Sequence, residues 1–227
     1  MVTLSQVELF LDGTYERSEQ RSFLFKSRCI CNFLERALSR ERFETELSRV
    51  NIHCSKGIQE PTASRSATTP LLEVKIAYDM PPADSLREAE LQSHYSVILI
   101  EGLSAARGSM AIPLDFCKEV LREFESGGYR NRWVQAEKLW SRLGIRSEVV
   151  ATLTTSEFSL DQRVYRGEQL VAEARVWESS PREGLFHDSL GDLVLTNSGN
   201  VVYRAKKNVL SEFFPQDARL VVRSDSG

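Results

Sequence analysis

Between Glu148 and Glu178 the chain reads EVVATLTTSEFSLDQRVYRGEQLVAEARVWE, and its side chains alternate with a period of two. Phe158, Leu160 and Val164 fall on one face, with Ser159, Asp161, Arg163 and Tyr165 on the other. Leu170, Ala172, Ala174 and Val176 repeat the pattern against Glu173, Arg175 and Trp177. Arg166-Gly167-Glu168 separates the two runs as a tight turn. Alternation over two runs joined by such a turn demands antiparallel strands with one face on a core. The expected fold class is therefore α+β: a mostly antiparallel sheet, with this meander at its centre, packed against two or three helices.

The remaining elements are read by the same rules. Residues 5–12 form a short first strand ended by Asp12-Gly13. Ile30, Phe33, Leu34, Ala37 and Leu38 have helical spacing, predicting a helix from about Phe25 to Val50. Residues 55–70, rich in Ser and Thr with two prolines, read as a long flexible loop. Leu71–Tyr78 reads as a strand stopped by Pro81-Pro82, and a short helix follows over 83–92, capped by Asp84 or Ser85. Tyr95–Gly102, the most apolar run, is expected to be the central strand. Two helices are predicted over Pro113–Glu125 and Arg132–Leu143, the second carrying Trp133, Ala136, Leu139, Trp140 and Leu143 at helical spacing, and they are ended by Gly127-Gly128 and Gly144. A second hairpin turns at Asn197–Asn200, with an edge strand at Arg219–Arg223. One helix and one strand ahead of the 55–70 loop make a poor independent core, so the whole chain, 1–227, is expected to be a single domain.

With 227 residues, 41% of them apolar, the chain can bury a substantial core. A net charge of −3 argues against binding nucleic acid through bulk charge. The N-terminus lacks a basic region followed by an apolar run, and no apolar stretch approaches a membrane span, so an intracellular, cytoplasmic chain is expected. Four cysteines do not make a dense disulfide framework and read as reduced thiols.

No stretch carries a strong chemical motif. Cys29, Cys31, His53 and Cys54 are zinc-type ligands, but residues two apart on a helix point to different sides, so no metal and no cofactor is expected. Cys117 with His94 or His187 and Asp115 or Asp188 has the parts of a thiol nucleophile, yet Cys117 sits on the apolar stripe of its helix. Gly102–Gly108 lacks the dinucleotide and nucleotide glycine patterns and reads as a turn. Glu183, His187, Asp188 and Asp192 read as an exposed polar connection. The segment Gly127–Trp133 is different, because Tyr129, Arg130, Arg132 and Trp133 are the residue types that dominate protein interfaces. Arg204, Lys206 and Lys207 form a second, small basic spot.

These residues support two main function classes. The first is a non-enzymatic intracellular protein-binding factor, such as an inhibitor, an immunity-type protein, an accessory subunit or a viral host-interaction protein, that recognises another protein through Tyr129, Arg130, Arg132 and Trp133. For the second, the expected helix over Arg132–Leu143 followed by LTTSEFSLDQRVYRGEQLVAEARVW resembles the central region of hotdog-fold acyl-thioester enzymes. That resemblance implies a homodimer with an acyl pocket at its interface. It lacks the acidic residue and small-residue turn of the family ahead of the main helix. A nucleic-acid-binding accessory protein is the weaker third class, and it would bind with a steep salt dependence.

Overall fold

The computed structural model describes residues 2–79, 86–181, 190–196, 200–204 and 206, and the backbone alone of 218–220. Over these residues it is an α+β fold with three helices and four sheets, mostly antiparallel. The chain divides into two compact units, Met1–Asn131 and Arg132–Gly227.

The three described helices lie in the first unit. Its four-stranded sheet has the order β2-β4-β6-β5, where β2 is Gln6–Leu11, β4 Arg49–Ser55, β5 Thr62–Arg65 and β6 Leu71–Ala77. Strands β2, β4 and β6 run parallel, and β5 pairs antiparallel on the outer edge of β6. β1 (Val2–Thr3) and β3 (Glu44–Thr45) make a small separate pair. One sheet face is aliphatic and fully buried through Val7, Leu9, Val50, Ile52, Leu72, Val74 and Ile76. Its alternation with Glu8, Asn51, Glu73 and Lys75 is the two-residue pleat expressed in burial.

The helix α1 (Arg17–Glu41) connects β2 to β4, as a parallel pair requires. It opens on a capping box between Glu16 and Glu19 and ends where Arg42 turns left-handed, at φ 55°. Both ends therefore precede the expected 25–50, and the Glu- and Arg-rich tail of that prediction holds β3 and the start of β4. Good helix formers are overruled there by sheet pairing. Glu35 on α1 accepts from the Val7 backbone N–H at 3.0 Å and pairs with Arg28 at 2.8 Å, satisfying the outer edge of β2. The 55–70 stretch contains strand β5.

Helix α2 (Glu88–Ala106) contains the whole of Tyr95–Gly102, which was expected to be the central strand. Short apolar runs read alike in a buried strand and a buried helix. Here Tyr95, Leu99, Gly102, Leu103 and Ala106 recur at helical spacing and are buried. Gly102 lies directly on Ile52 of β4. The expected loop at Gly102–Gly108 is therefore mostly the last turn of α2, with Arg107 and Gly108 alone beyond its end. Helix α3 (Leu114–Ser126) matches its prediction, burying Leu114, Cys117, Val120, Leu121 and Phe124. Pro81-Pro82 and the caps Asp84 and Ser85 lie outside the described residues.

The second unit holds a four-stranded sheet of order β10-β9-β8-β7: β7 Asn131–Trp140, β8 Ile145–Leu153, β9 Phe158–Arg166 and β10 Gln169–Ser179. The expected meander is β8-β9-β10, with its turn at Gly167 in the left-handed region, φ 56°. The expected helix over Arg132–Leu143 is instead strand β7, followed by a single 3-10 turn, Ser141–Leu143, and Gly144 at φ 61°. Helical spacing of Trp133, Ala136 and Leu139 loses to pairing with β8. This removes the helix on which the hotdog resemblance was drawn. Trp177 also changes face: a bulge between Arg175 and Trp177 turns it inward, opposite Leu160 and edge-on to Phe158.

The second hairpin is present as β11 (Asp192–Leu195) and β12 (Val201–Arg204), with β13 (Ala218–Leu220) on its other side. Gln162 of β9 reaches the Val201 carbonyl, so β12 lies over the inner face of the meander. The turn residues 197–199 and the chain from 221 are outside the described residues.

Candidate docking surface

In the second unit the β7–β8 and β9–β10 turns lie side by side at one end of the sheet. The Gly167 N–H donates to the Gly144 carbonyl at 3.1 Å, and Ile145 pairs with Arg166. Large aliphatic side chains stand in solvent at this end: Leu139 is 62% exposed, Leu143 51%, Leu170 45% and Val171 41%. Leu143 belongs to the 3-10 turn, and Leu170 and Val171 open β10, which apart from the half-buried Ala172 is exposed until Val176. An apolar group in water forgoes the stabilisation that burial brings, so four at one end mark a surface that association would favour.

The charges there are not all engaged. Arg146 is held: it pairs with Glu137 and Glu148 at 3.1 Å each and lies 4.1 Å over the Tyr165 ring. Arg142 and Arg166 are exposed and have no ion-pair partner among the described residues. Glu168 is exposed between the turns.

Sequence reading missed this surface, because it assigned Leu139 and Leu143 to the apolar stripe of a helix and Leu170 to a core-facing position. The register shift between Leu170 and Ala172 breaks that alternation. The only local signal was Gly144 and Gly167, glycines placed to close two turns.

Of the residues singled out in the sequence, Tyr129, at φ 58°, packs edge-on to Phe124, and its hydroxyl donates to Glu125 at 3.3 Å. Arg130 and Arg132 are exposed on either side of the buried Asn131. Asn131 donates to the Cys29 carbonyl at 2.8 Å and accepts from Arg36 at 2.9 Å. Trp133 is half-buried, stacked 6.0 Å from Phe158, with its indole N–H on Gln135. Trp133 therefore covers core, which leaves the two arginines as the accessible members. Arg204 and Lys206 are exposed, and Lys207 is outside the described residues.

The reactive-group candidates do not assemble. Cys29, Cys31, Cys54 and Cys117 are free and buried. Burial pushes the thiols of Cys31, Cys54 and Cys117 up, the latter two to about 12, so they stay protonated and poorly nucleophilic. His53 and Cys54 are neighbours on β4, where alternation sends them to opposite faces. No group of three metal-ligating side chains forms among the described residues. His53 bonds Glu73 on the polar sheet face and stacks on Phe10 at 5.4 Å. His94 bonds the Tyr78 hydroxyl at 2.7 Å rather than Cys117, and burial holds its pKa below the ordinary histidine range. Asp115 is exposed at the start of α3, and Glu183, His187 and Asp188 lie outside the described residues.

A groove of about 460 Å³ runs along the outside of α2 and α3, with Val97, Ile100 and Leu121 between Glu101, Lys118, Arg122 and Glu125. Among the described residues no helix is long and apolar enough to cross a membrane. No protein-family model, curated protein or solved structure matches this chain.

Proposed function

We propose that the chain is a non-enzymatic protein-binding factor that docks its partner on the tied-turn end of the β7–β10 sheet. The observation that carries this reading is the exposure of Leu139, Leu143, Leu170 and Val171 at that end. Interfaces draw their energy from a few desolvated side chains near the centre of a patch, and of these four Leu139 and Leu170 stand on paired strands, which lowers the conformational freedom they lose on docking. The buried, protonated thiols leave catalysis without a nucleophile of that type.

Native mass spectrometry of the protein from its own source identifies the partner, and calorimetric titration then tests the surface. Leu139→Asp with Leu143→Asp is expected to weaken binding by at least ~10-fold, since a single interface anchor is commonly worth about 1–2 kcal/mol or more. An unchanged Kd refutes the assignment.

A further inference from the structure

We infer that the partner presents a short acidic, apolar protein segment, whose carboxylates meet Arg142 and Arg166 while its aliphatic or aromatic side chains cover Leu139, Leu143, Leu170 and Val171. This inference rests on the docking reading above and adds the chemistry of what docks.

Charge is its basis. Arg142 follows Trp140 by two residues in the 3-10 turn, and Arg166 ends β9 beside the paired glycines. Both are exposed and have no ion-pair partner among the described residues, in a chain whose net charge is −3. The other cations nearby are committed: Arg146 to Glu137, Glu148 and the Tyr165 face, and Lys138 to the Leu193 carbonyl at 3.1 Å. Arg142 precedes Leu143 in the 3-10 turn and Arg166 ends β9 at the other turn, so against the exposed carboxylate of Glu168 the unpaired charge at this end is net positive, and the planar fork of each arginine matches one carboxylate.

The same count decides against other occupants. An anionic bilayer is held by clusters of about 4–8 basic residues, at about 1 kcal/mol each. Two arginines fall short of that. Nucleic-acid binding likewise draws on many phosphate contacts. A protein segment needs only one or two carboxylates. Four strands at about 4.8 Å spacing make this sheet end about 14 Å wide, the length of a helix of roughly ten residues.

The test is a selection of random 16-residue peptides, displayed on phage, against the full chain, with Kd values of recovered peptides measured by fluorescence anisotropy. Recovered peptides are expected to be net negative and to carry leucine or aromatic side chains. Their affinity should fall at least ~10-fold in Arg142→Glu/Arg166→Glu, and similarly in Leu139→Asp/Leu143→Asp. Circular dichroism and tryptophan emission verify that both variants fold, as expected for exposed positions. Neutral or basic binders lost only in the leucine variant overturn the acidic partner and leave the docking reading standing. Binders indifferent to the leucine variant overturn both. Recovery of no binder overturns the inference, as does co-sedimentation with phosphatidylserine vesicles that the arginine variant abolishes.

Discussion

Gly102 offers a prediction whose sign can be reversed by a second substitution. It is buried within α2, one turn before its end, where glycine is ordinarily unfavourable by about 0.5–1 kcal/mol relative to alanine. On propensity alone, Gly102→Ala would stabilise. However, a Cβ at this position would stand 2.5, 2.6 and 2.7 Å from Cδ1, Cγ2 and Cγ1 of Ile52. All three belong to one fully buried, β-branched side chain, so the whole group or the helix must move. Overpacking of this kind costs about 1–3 kcal/mol. With three atoms involved the upper half of that range applies, and after the propensity gain a net loss of about 1–2.5 kcal/mol remains. Ile52→Ala removes all three atoms, at its own cost of about 2–5 kcal/mol. In that background Gly102→Ala should become neutral or stabilising by up to about 1 kcal/mol, a coupling visible in a double-mutant cycle. The assay is urea denaturation followed at 222 nm. All described α-helices lie in Met1–Asn131, so this signal mainly follows the first unit. The three tryptophans, Trp133, Trp140 and Trp177, lie in the second and report it separately by emission. Stabilisation by Gly102→Ala alone, or strict additivity with Ile52→Ala, would refute the close-approach argument.

Other substitutions test other layers. Asn131→Ala removes hydrogen bonds to the Cys29 carbonyl, Asn32 and Arg36, and should lower stability of the first unit by about 2–3 kcal/mol in the same denaturation experiment. Gln92 is fully buried, with neither amide atom hydrogen-bonded to protein, so Gln92→Leu should stabilise by about 1–2 kcal/mol; destabilisation would reveal a partner for the amide. Burial lowers the pKa of His94 from the ordinary 6.5, so between these two values the unfolded chain binds more protons than the folded one. Stability should therefore fall as pH drops through 6.5 and level off below the folded value. His94→Gln should flatten that slope relative to the parent in thermal melts.

Elements whose identity lies in local chemistry could be read from the sequence. The meander β8-β9-β10 announces itself by strict alternation around Gly167, and α3 by Leu114, Cys117, Val120, Leu121 and Phe124 ahead of Gly127. Elements decided by distant partners could not. Tyr95–Gly102 is equally apolar as strand or helix, and its packing against Ile52, about fifty residues away, makes it helix. Arg132–Trp140 has helical spacing, yet it pairs with β8. The exposed aliphatic end of the second sheet was illegible for the same reason. Leu139, Leu143 and Leu170 read as core by spacing, and only the strand assignment and the register shift in β10 expose them. Arg130 and Arg132, by contrast, were legible as exposed, since guanidiniums seldom bury without a partner.

The four thiols, inert in the folded chain, would serve as local clocks. Cys29 and Cys31 sit on α1, Cys54 on β4 and Cys117 on α3, each fully shielded and none cross-linked. An alkylating reagent can reach any of them only while its own element is open. Site-by-site labelling under native conditions, read by mass spectrometry, would thus rank the opening of helix, central strand and second helix within one molecule, without a probe being introduced. Partner binding that slowed one of these clocks would trace how far its effect travels from the surface it occupies.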